Sequence, residues 1–294
     1  MSIVSSHRPT PTKLPAPPAS RLRPPTPNDD NLGAFARGTE PVIDRFEQDP
    51  QDIADELRAL EDKLSRCFST LTMHYQPIVH AATRARFGYE ALLRATDKSL
   101  PHPGAILDAA ERLERIPALG RAVRGQVAGT IAQAPAERGV VFVNLHLLDL
   151  FDKQLTSTFA PLTKVAGRIV LEITERTSLE GQADVRYRVQ ELRELGFKIA
   201  IDDLGGGHAR MGTFSPLDFD FVKLDMSLVR DIDKHTMKQR LVRSVIELCR
   251  EHSTKVIGEG VETDAEARVL IDLGCDLLQG YLIAKPALPF VDPL

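Results

Sequence analysis

From about residue 72 onward, short apolar runs alternate with longer segments whose apolar residues recur every three or four positions. The short runs have strand length and are rich in β-branched residues: TMHYQPIV (72–79), GYEALLR (88–94), VVFVNL (140–145), RIVLEIT (168–174), FKIAIDD (197–203), FDFVKLD (219–225), TKVIGEG (254–260) and CDLLQGY (275–281). Between them, DVRYRVQELRELG puts Val185, Val189, Leu192 and Leu195 on one helical face, and MKQRLVRSVIELCRE does the same with Leu241, Val245 and Leu248. Eight strands with helices between most of them, in roughly 220 residues, predict an α/β chain folded as a (β/α)8 barrel rather than an open doubly wound sheet. No GxGxxG follows the first strand, which weighs against a dinucleotide fold.

The pattern fails upstream. Residues 1–40 contain RPTPTKLPAPPASRLRPPTPNDD, whose apolar residues never become periodic, and they predict a disordered Pro-rich tail. Residues 41–69 read as a helical linker: Asp49-Pro50 looks like a helix start, and Ile53, Leu57, Leu60 and Leu64 predict one amphipathic helix from about 50 to 66. That helix packs on the following domain or mediates dimer contacts, and residues 70–294 form the barrel domain.

Composition narrows the class without deciding the function. Of the 294 residues, 43% are hydrophobic and 27% charged, the balance of a globular protein, and no apolar run is long enough to span a bilayer. The N-terminus lacks the apolar core of a secretory signal, which predicts a cytoplasmic protein. Cys67, Cys249 and Cys275 are far apart and form no metal-ligand spacing, so they read as reduced thiols. A net charge of −4 argues against a broad surface for DNA or RNA, so a phosphate-bearing ligand would need a local cation.

The chemistry lies in where the polar residues fall. Strand after strand ends in a residue able to bind metal, donate a hydrogen bond or carry charge: Glu90, Asn144, Glu172, Asp202 with Asp203, Lys223, Glu259 and Gln279. In a barrel, parallel strands point their C-terminal ends to one face, so these positions converge. Any one acid at a strand end usually reads as a helix cap or solvated loop residue. Several gathered together would cost several kcal/mol unless cations compensated. Five carboxylates against Lys223 leave a charge that two divalent cations would cancel. Oxygen donors without histidine or thiolate favour Mg²⁺ or Mn²⁺, and such a pair serves in-line hydrolysis of phosphate esters.

These motifs resemble the EAL domain, the bacterial phosphodiesterase family that cleaves cyclic di-GMP. The resemblance runs from about residue 70 to the C-terminus: Glu90-Ala91-Leu92 within YEALLR, FVNL (142–145), LEITE (171–175), DDxGxG (202–207), VKLD (222–225), EGVE (259–262) and QGY (279–281). It implies a TIM-like barrel whose first strand, carrying Gln76 and Pro77, runs antiparallel to its neighbours. It implies that Glu90, Asn144, Glu172 and Asp202 bind one metal and that Asp202, Asp203 and Glu259 bind a second. Lys223 would hold the attacking water, Gln279 orient water or the metal shell, Glu175 anchor the loop after the paired aspartates, and Glu262 support from behind. Arg94 would contact a substrate phosphate, with Gln76 and Leu92 also on the substrate side.

The activity implied is opening of one phosphodiester of cyclic di-GMP to linear pGpG by a homodimer. The alternative is a receptor that binds cyclic di-GMP without turnover and signals through its tail and helix; a third reading is a barrel acting on another phosphodiester. A regulatory partner of the tail fits either of the first two. The chain departs from the family at Leu204–Met211, where Leu follows the aspartates and His208-Ala209-Arg210-Met211 follows the glycines, and at Ala95, where Trp is common. Those departures bear on rate and dimer coupling more than on metal binding.

Overall fold

The computed structural model describes residues 50–174, 183–205 and 219–293. Helix α1 (Pro50–Ser69) precedes β1 (Leu71–His80) and β2 (Arg86–Ala95). Helices α2 (Pro103–Arg112) and α3 (Ile116–Gln133) lead into β3 (Val140–Leu145) and β4 (Ile169–Thr174). Then come α4 (Ala183–Glu194), β5 (Lys198–Leu204), β6 (Phe221–Leu224), the short α5 (Met226–Val229), α6 (Thr236–Glu251), β7 (Lys255–Gly258), α7 (Asp264–Leu273) and β8 (Leu277–Gln279). The eight strands close in sequence order into one barrel. β1 runs antiparallel to both β2 and β8, and every other neighbouring pair is parallel.

Strand periodicity divides the side chains into two sets. One set faces outward against the helices, as Val141, Val143, Leu171, Ile173, Ile199 and Ile201 do, and joins the large outer core. The other faces the axis, where Ile78, Phe142, Val170, Ala200, Phe221, Ile257 and Leu277 form a separate buried plug. A barrel interior is filled by such layers, so both faces of each strand are apolar below the mouth. This is why the strands read as near-continuous apolar runs.

Two sequence expectations shift in detail. The N-terminal helix extends to Ser69 rather than about 66. On α6 the buried stripe is Val242, Val245, Ile246 and Cys249, while Leu248, expected on the inner face, is 44% exposed. At about 100° per residue, Leu248 stands beyond the edge of a stripe centred between Val245 and Val242, Ile246 and Cys249. The barrel wall, not hydrophobicity alone, decides which of the neighbouring apolar residues face inward. Among the described residues, no helix is long and apolar enough to cross a membrane. Cys67, Cys249 and Cys275 are all buried and unpaired.

Candidate active site

Two positions beyond each plug residue, toward the C-terminal face, stands a polar one. Phe142 is followed by Asn144, Val170 by Glu172, Ala200 by Asp202, Phe221 by Lys223, Ile257 by Glu259 and Leu277 by Gln279. On β1 the direction is reversed, so Ile78 is preceded by Gln76, which pairs with Glu90 on β2. The period of two that packs the plug therefore also builds a polar layer on top of it.

The ammonium of Lys223 is the centre of that layer. Its Nζ lies 2.6 Å from Glu259 Oε1, 2.7 Å from Glu172 Oε1, 3.2 Å from Asp202 Oδ1 and 3.5 Å from Glu90 Oε2. Asn144 Nδ2 donates to Glu90 Oε1 at 3.0 Å. Gln279 Nε2 donates to Glu90 Oε2 at 2.5 Å and to Gln76 Oε1 at 3.1 Å, and Gln76 Nε2 donates to the Ala284 carbonyl at 3.0 Å. Glu90 is thus held by two amides, each from a different strand.

The electrostatics follow from burial. Lys223 is 1% exposed; burial alone would favour its neutral amine, but the four carboxylates outweigh that and raise its pKa well above the ordinary ammonium value. Burial pushes the Glu172 carboxyl well above its usual range, with Glu90, Asp202 and Glu259 pushing the same way against Lys223. Glu259 is pushed up to about 8, by burial first and then by Asp202 and Glu90. One ammonium does not neutralise so many acids.

Asp202 and Asp203 would ordinarily point to opposite sides of β5. Here the register against β6 slips between Ile201 and Leu204, two residues on β5, Asp202 and Asp203, opposing the one residue Lys223 on β6, and Asp203 takes a left-handed φ of 61°. A bulge of this kind re-aims a side chain. As a result Asp202, Asp203 and Glu259 bring carboxylate oxygens within 4.8 Å of one another. Both oxygens of Glu172, Oδ1 of Asp202 and Oε1 of Gln279 are buried and accept no hydrogen bond among the described residues; the Lys223 contacts to Glu172 and Asp202 satisfy charge but not hydrogen-bond direction. Buried acceptors of this kind, all hard oxygen donors, fit divalent cations of the Mg²⁺ or Mn²⁺ type.

Above the layer opens a cavity of about 290 Å³. Gln76, Leu92, Glu90, Asp203, Glu259 and Gln279 all line it. Arg94 lies on the same strand face as Glu90 and Leu92 but does not line the cavity; its Nη1 donates to the Leu93 carbonyl at 2.7 Å. Glu175, His208 and the rest of the loop beyond Gly205 lie outside the described residues. Sequence reasoning assigned nothing to Arg230, Asp225, Met226 or Tyr281, which also line the cavity. Asp225 and Tyr281 close the VKLD and QGY runs, so a signal was present for them. Arg230 had none, since it sits beyond the end of α5 and is placed by the turn that follows.

The fold and this mouth define a (β/α)8 barrel with a reversed first strand and an acidic, lysine-centred C-terminal face. The chain belongs to the EAL domain family, whose model matches residues 57–286. The probable cyclic di-GMP phosphodiesterase PdeA of Escherichia coli is 36% identical over 148 residues, 49% of this chain and 20% of that protein. The structure of PaMucR phosphodiesterase in complex with c-di-GMP superposes with a TM-score of 0.69 at 26% identity, covering 79% of this chain and 98% of that one. Klebsiella pneumoniae BlrP1, in a calcium and cyclic di-GMP complex, gives a TM-score of 0.68 at 25% identity, with 87% and 70% covered. This chain spans between 19% and 36% of the length of the curated relatives it matches.

Proposed function

We propose that this chain is a metal-dependent phosphodiesterase that opens cyclic di-GMP to linear pGpG. The observation that carries the reading is the gathering of Glu90, Glu172, Asp202 and Glu259 around one buried lysine, with Asp203 turned to join them. Similarity to PdeA and to the two cyclic di-GMP complexes supports the substrate, and the calcium complex supports a divalent cation.

Glu90, Asn144, Glu172 and Asp202 would hold one Mg²⁺ or Mn²⁺, and Asp202, Asp203 and Glu259 a second. Two such ions, when bound, supply Lewis acidity toward the phosphoryl group and a water nucleophile usable at neutral pH. Lys223 stays charged at neutral pH and donates to the attacking water or to the phosphoryl oxygen that gains charge. Gln279 fixes Glu90 and, through Gln76, ties it to the Ala284 carbonyl, so the donor set keeps its geometry as charge moves. Leu92 and Gln76 wall the cavity on the substrate side. Arg94 reaches a phosphate once it releases the Leu93 carbonyl, and its planar guanidinium suits that contact.

The reading includes a homodimer, a cytoplasmic location that suits three unpaired buried thiols, and a Pro-rich tail over residues 1–40 that tethers rather than catalyses. Removal of residues 1–45 then leaves turnover within a few-fold; loss of activity in a folded protein would assign the tail a larger part. The deciding experiment is chromatography of cyclic di-GMP incubated with the purified protein and Mg²⁺ or Mn²⁺, beside Glu90→Ala and a chelated control. pGpG that appears only with intact protein and metal supports the reading. Unchanged nucleotide that binds makes the chain a receptor, and neither binding nor turnover makes cyclic di-GMP the wrong ligand.

A further inference from the structure

Glu266 lies in the first turn of α7, outside the polar layer, yet it is 2% exposed. Its Oε2 accepts from the backbone N–H of Thr263 and of Glu262, each at 3.0 Å, while Thr263 Oγ1 accepts from the Glu266 N–H at 3.2 Å. That half is a capping box closing the N-terminus of α7. Its Oε1 does something a cap does not require: it accepts at 2.9 Å from the N–H of Asp231, on the segment that follows α5. Burial works against the charged form of Glu266, but the three N–H donors outweigh it and hold the carboxyl below its usual range.

The two segments joined in this way both end at the cavity. On one side Arg230 lines it, next to Asp231, whose φ of 54° is left-handed. On the other, Glu259, Gly260 and Glu262 line it. Arg230 Nη2 donates to Glu262 Oε1 at 2.6 Å, and Nη1 contacts Glu262 Oε2, so a bidentate ion pair spans the same gap at the surface. The Arg230 carbonyl accepts from Lys238 Nζ at 2.6 Å, which fixes the segment from the α6 side.

We propose that Glu266 is a positioning residue for the cavity, its one buried carboxylate clamping the Arg230–Asp231 segment to the Glu259–Glu262 segment. The inference rests on the phosphodiesterase reading for its kinetic consequence, though not for the clamp itself. Glu259 is independently held by Lys223 and by its own N–H on the Leu224 carbonyl, so loosening the clamp changes how the cavity accepts substrate more than how the bond is broken.

Glu266→Gln separates the two functions of the side chain. A glutamine still serves a capping box, but its NH₂ group then faces the Asp231 N–H, donor against donor. Thr263→Ala does the reverse, weakening the cap and leaving the Asp231 bond. With cyclic di-GMP as substrate, Glu266→Gln is expected to raise KM about ten-fold with kcat within about three-fold, whereas Thr263→Ala lowers Tm and leaves KM within about two-fold. Amide hydrogen exchange, read without ligand, should show the Asp231 N–H losing protection in Glu266→Gln only. An unchanged KM in Glu266→Gln, or equal KM increases in both variants, overturns the proposal, as does an Asp231 amide as protected as in the parent protein. If the parent protein neither binds nor opens cyclic di-GMP, the phosphodiesterase reading fails, and amide exchange alone decides the clamp.

Discussion

Asp202 and Asp203 are adjacent in the chain, and both carboxylates serve one side of β5 because Asp203 adopts a φ of 61° within a bulge. Together with Glu259 they form a cluster of oxygen donors within 4.8 Å. The bulge is the structural use of two acids placed side by side.

Two substitutions separate the backbone from the charge at this position. Asn tolerates left-handed φ, so Asp203→Asn should leave Tm within about 2 °C while weakening Mn²⁺ binding at least about ten-fold, measured by calorimetric titration. Asp203→Val should cost a further ~1–2 kcal/mol of stability, because a β-branched residue is strained at that φ. Equal Mn²⁺ affinity in Asp203→Asn would remove Asp203 from the ligand set.

Lys223 neutralises carboxylates that have no other cation within the layer among the described residues. Lys223→Met should destabilise the metal-free protein by about 3–5 kcal/mol, the usual effect of removing one partner from a buried ion pair. Divalent metal should restore part of that loss, since it supplies the missing charge, while turnover stays at least about a hundred-fold down. Thermal melts with chelator and with Mn²⁺ check the first effect, and pGpG formation the second. A Lys223→Met protein as stable as its parent in chelator would contradict the charge balance described above.

The raised carboxyls set a pH dependence. Between the ordinary glutamate value of 4.5 and about 8, folded Glu259 retains a proton that the unfolded chain has released. Folding therefore binds protons, and the metal-free protein should lose stability as pH rises across that window, then level off above it. Glu172 shifts in the same direction and steepens the slope. Lys223 adds none, because its pKa is raised from 10.5 and it is protonated in both states there. Urea unfolding at several pH values in chelator tests this; saturating Mn²⁺, which competes with the proton, should flatten the slope. Stability that climbs toward pH 8 in chelator would contradict the assignment.

Gly280 follows Gln279 and lies against the backbone of Val261, where a Cβ would collide with both its nitrogen and its carbonyl oxygen. The two segments are tied by Val261 N–H to the Gln279 carbonyl at 3.0 Å and by Leu282 N–H to the Val261 carbonyl at 3.0 Å. Gly280→Ala should cost about 1–3 kcal/mol and shift Gln279 off Glu90, lowering turnover without changing any polar side chain. A variant with parental Tm and rate would show that the two segments can separate freely.

The strands were legible as short apolar runs of strand length, and their chemistry because a polar residue closes each run. Phe142 and Asn144, or Val170 and Glu172, stand two apart on the same face, so locating the strand located the polar residue at its end. Helix faces were legible less completely: α4 buries Val185, Val189 and Leu192 as expected, but α6 turns Leu248 outward. Several apolar residues there compete for one contact, and their spacing does not rank them.

By itself the sequence determined where the short apolar runs lie and which polar residues close them, and so the strands and the identity of the polar layer, since these depend on order within single segments. Tertiary structure decided the rest. Barrel closure brought Lys223 within 3.5 Å of four carboxylates from four other strand ends, a bulge turned Asp203 to join Asp202, and loop packing set Arg230 beside Glu262. Each of these is a contact between segments distant in the chain or a backbone angle imposed by a neighbouring strand, and local periodicity carries neither.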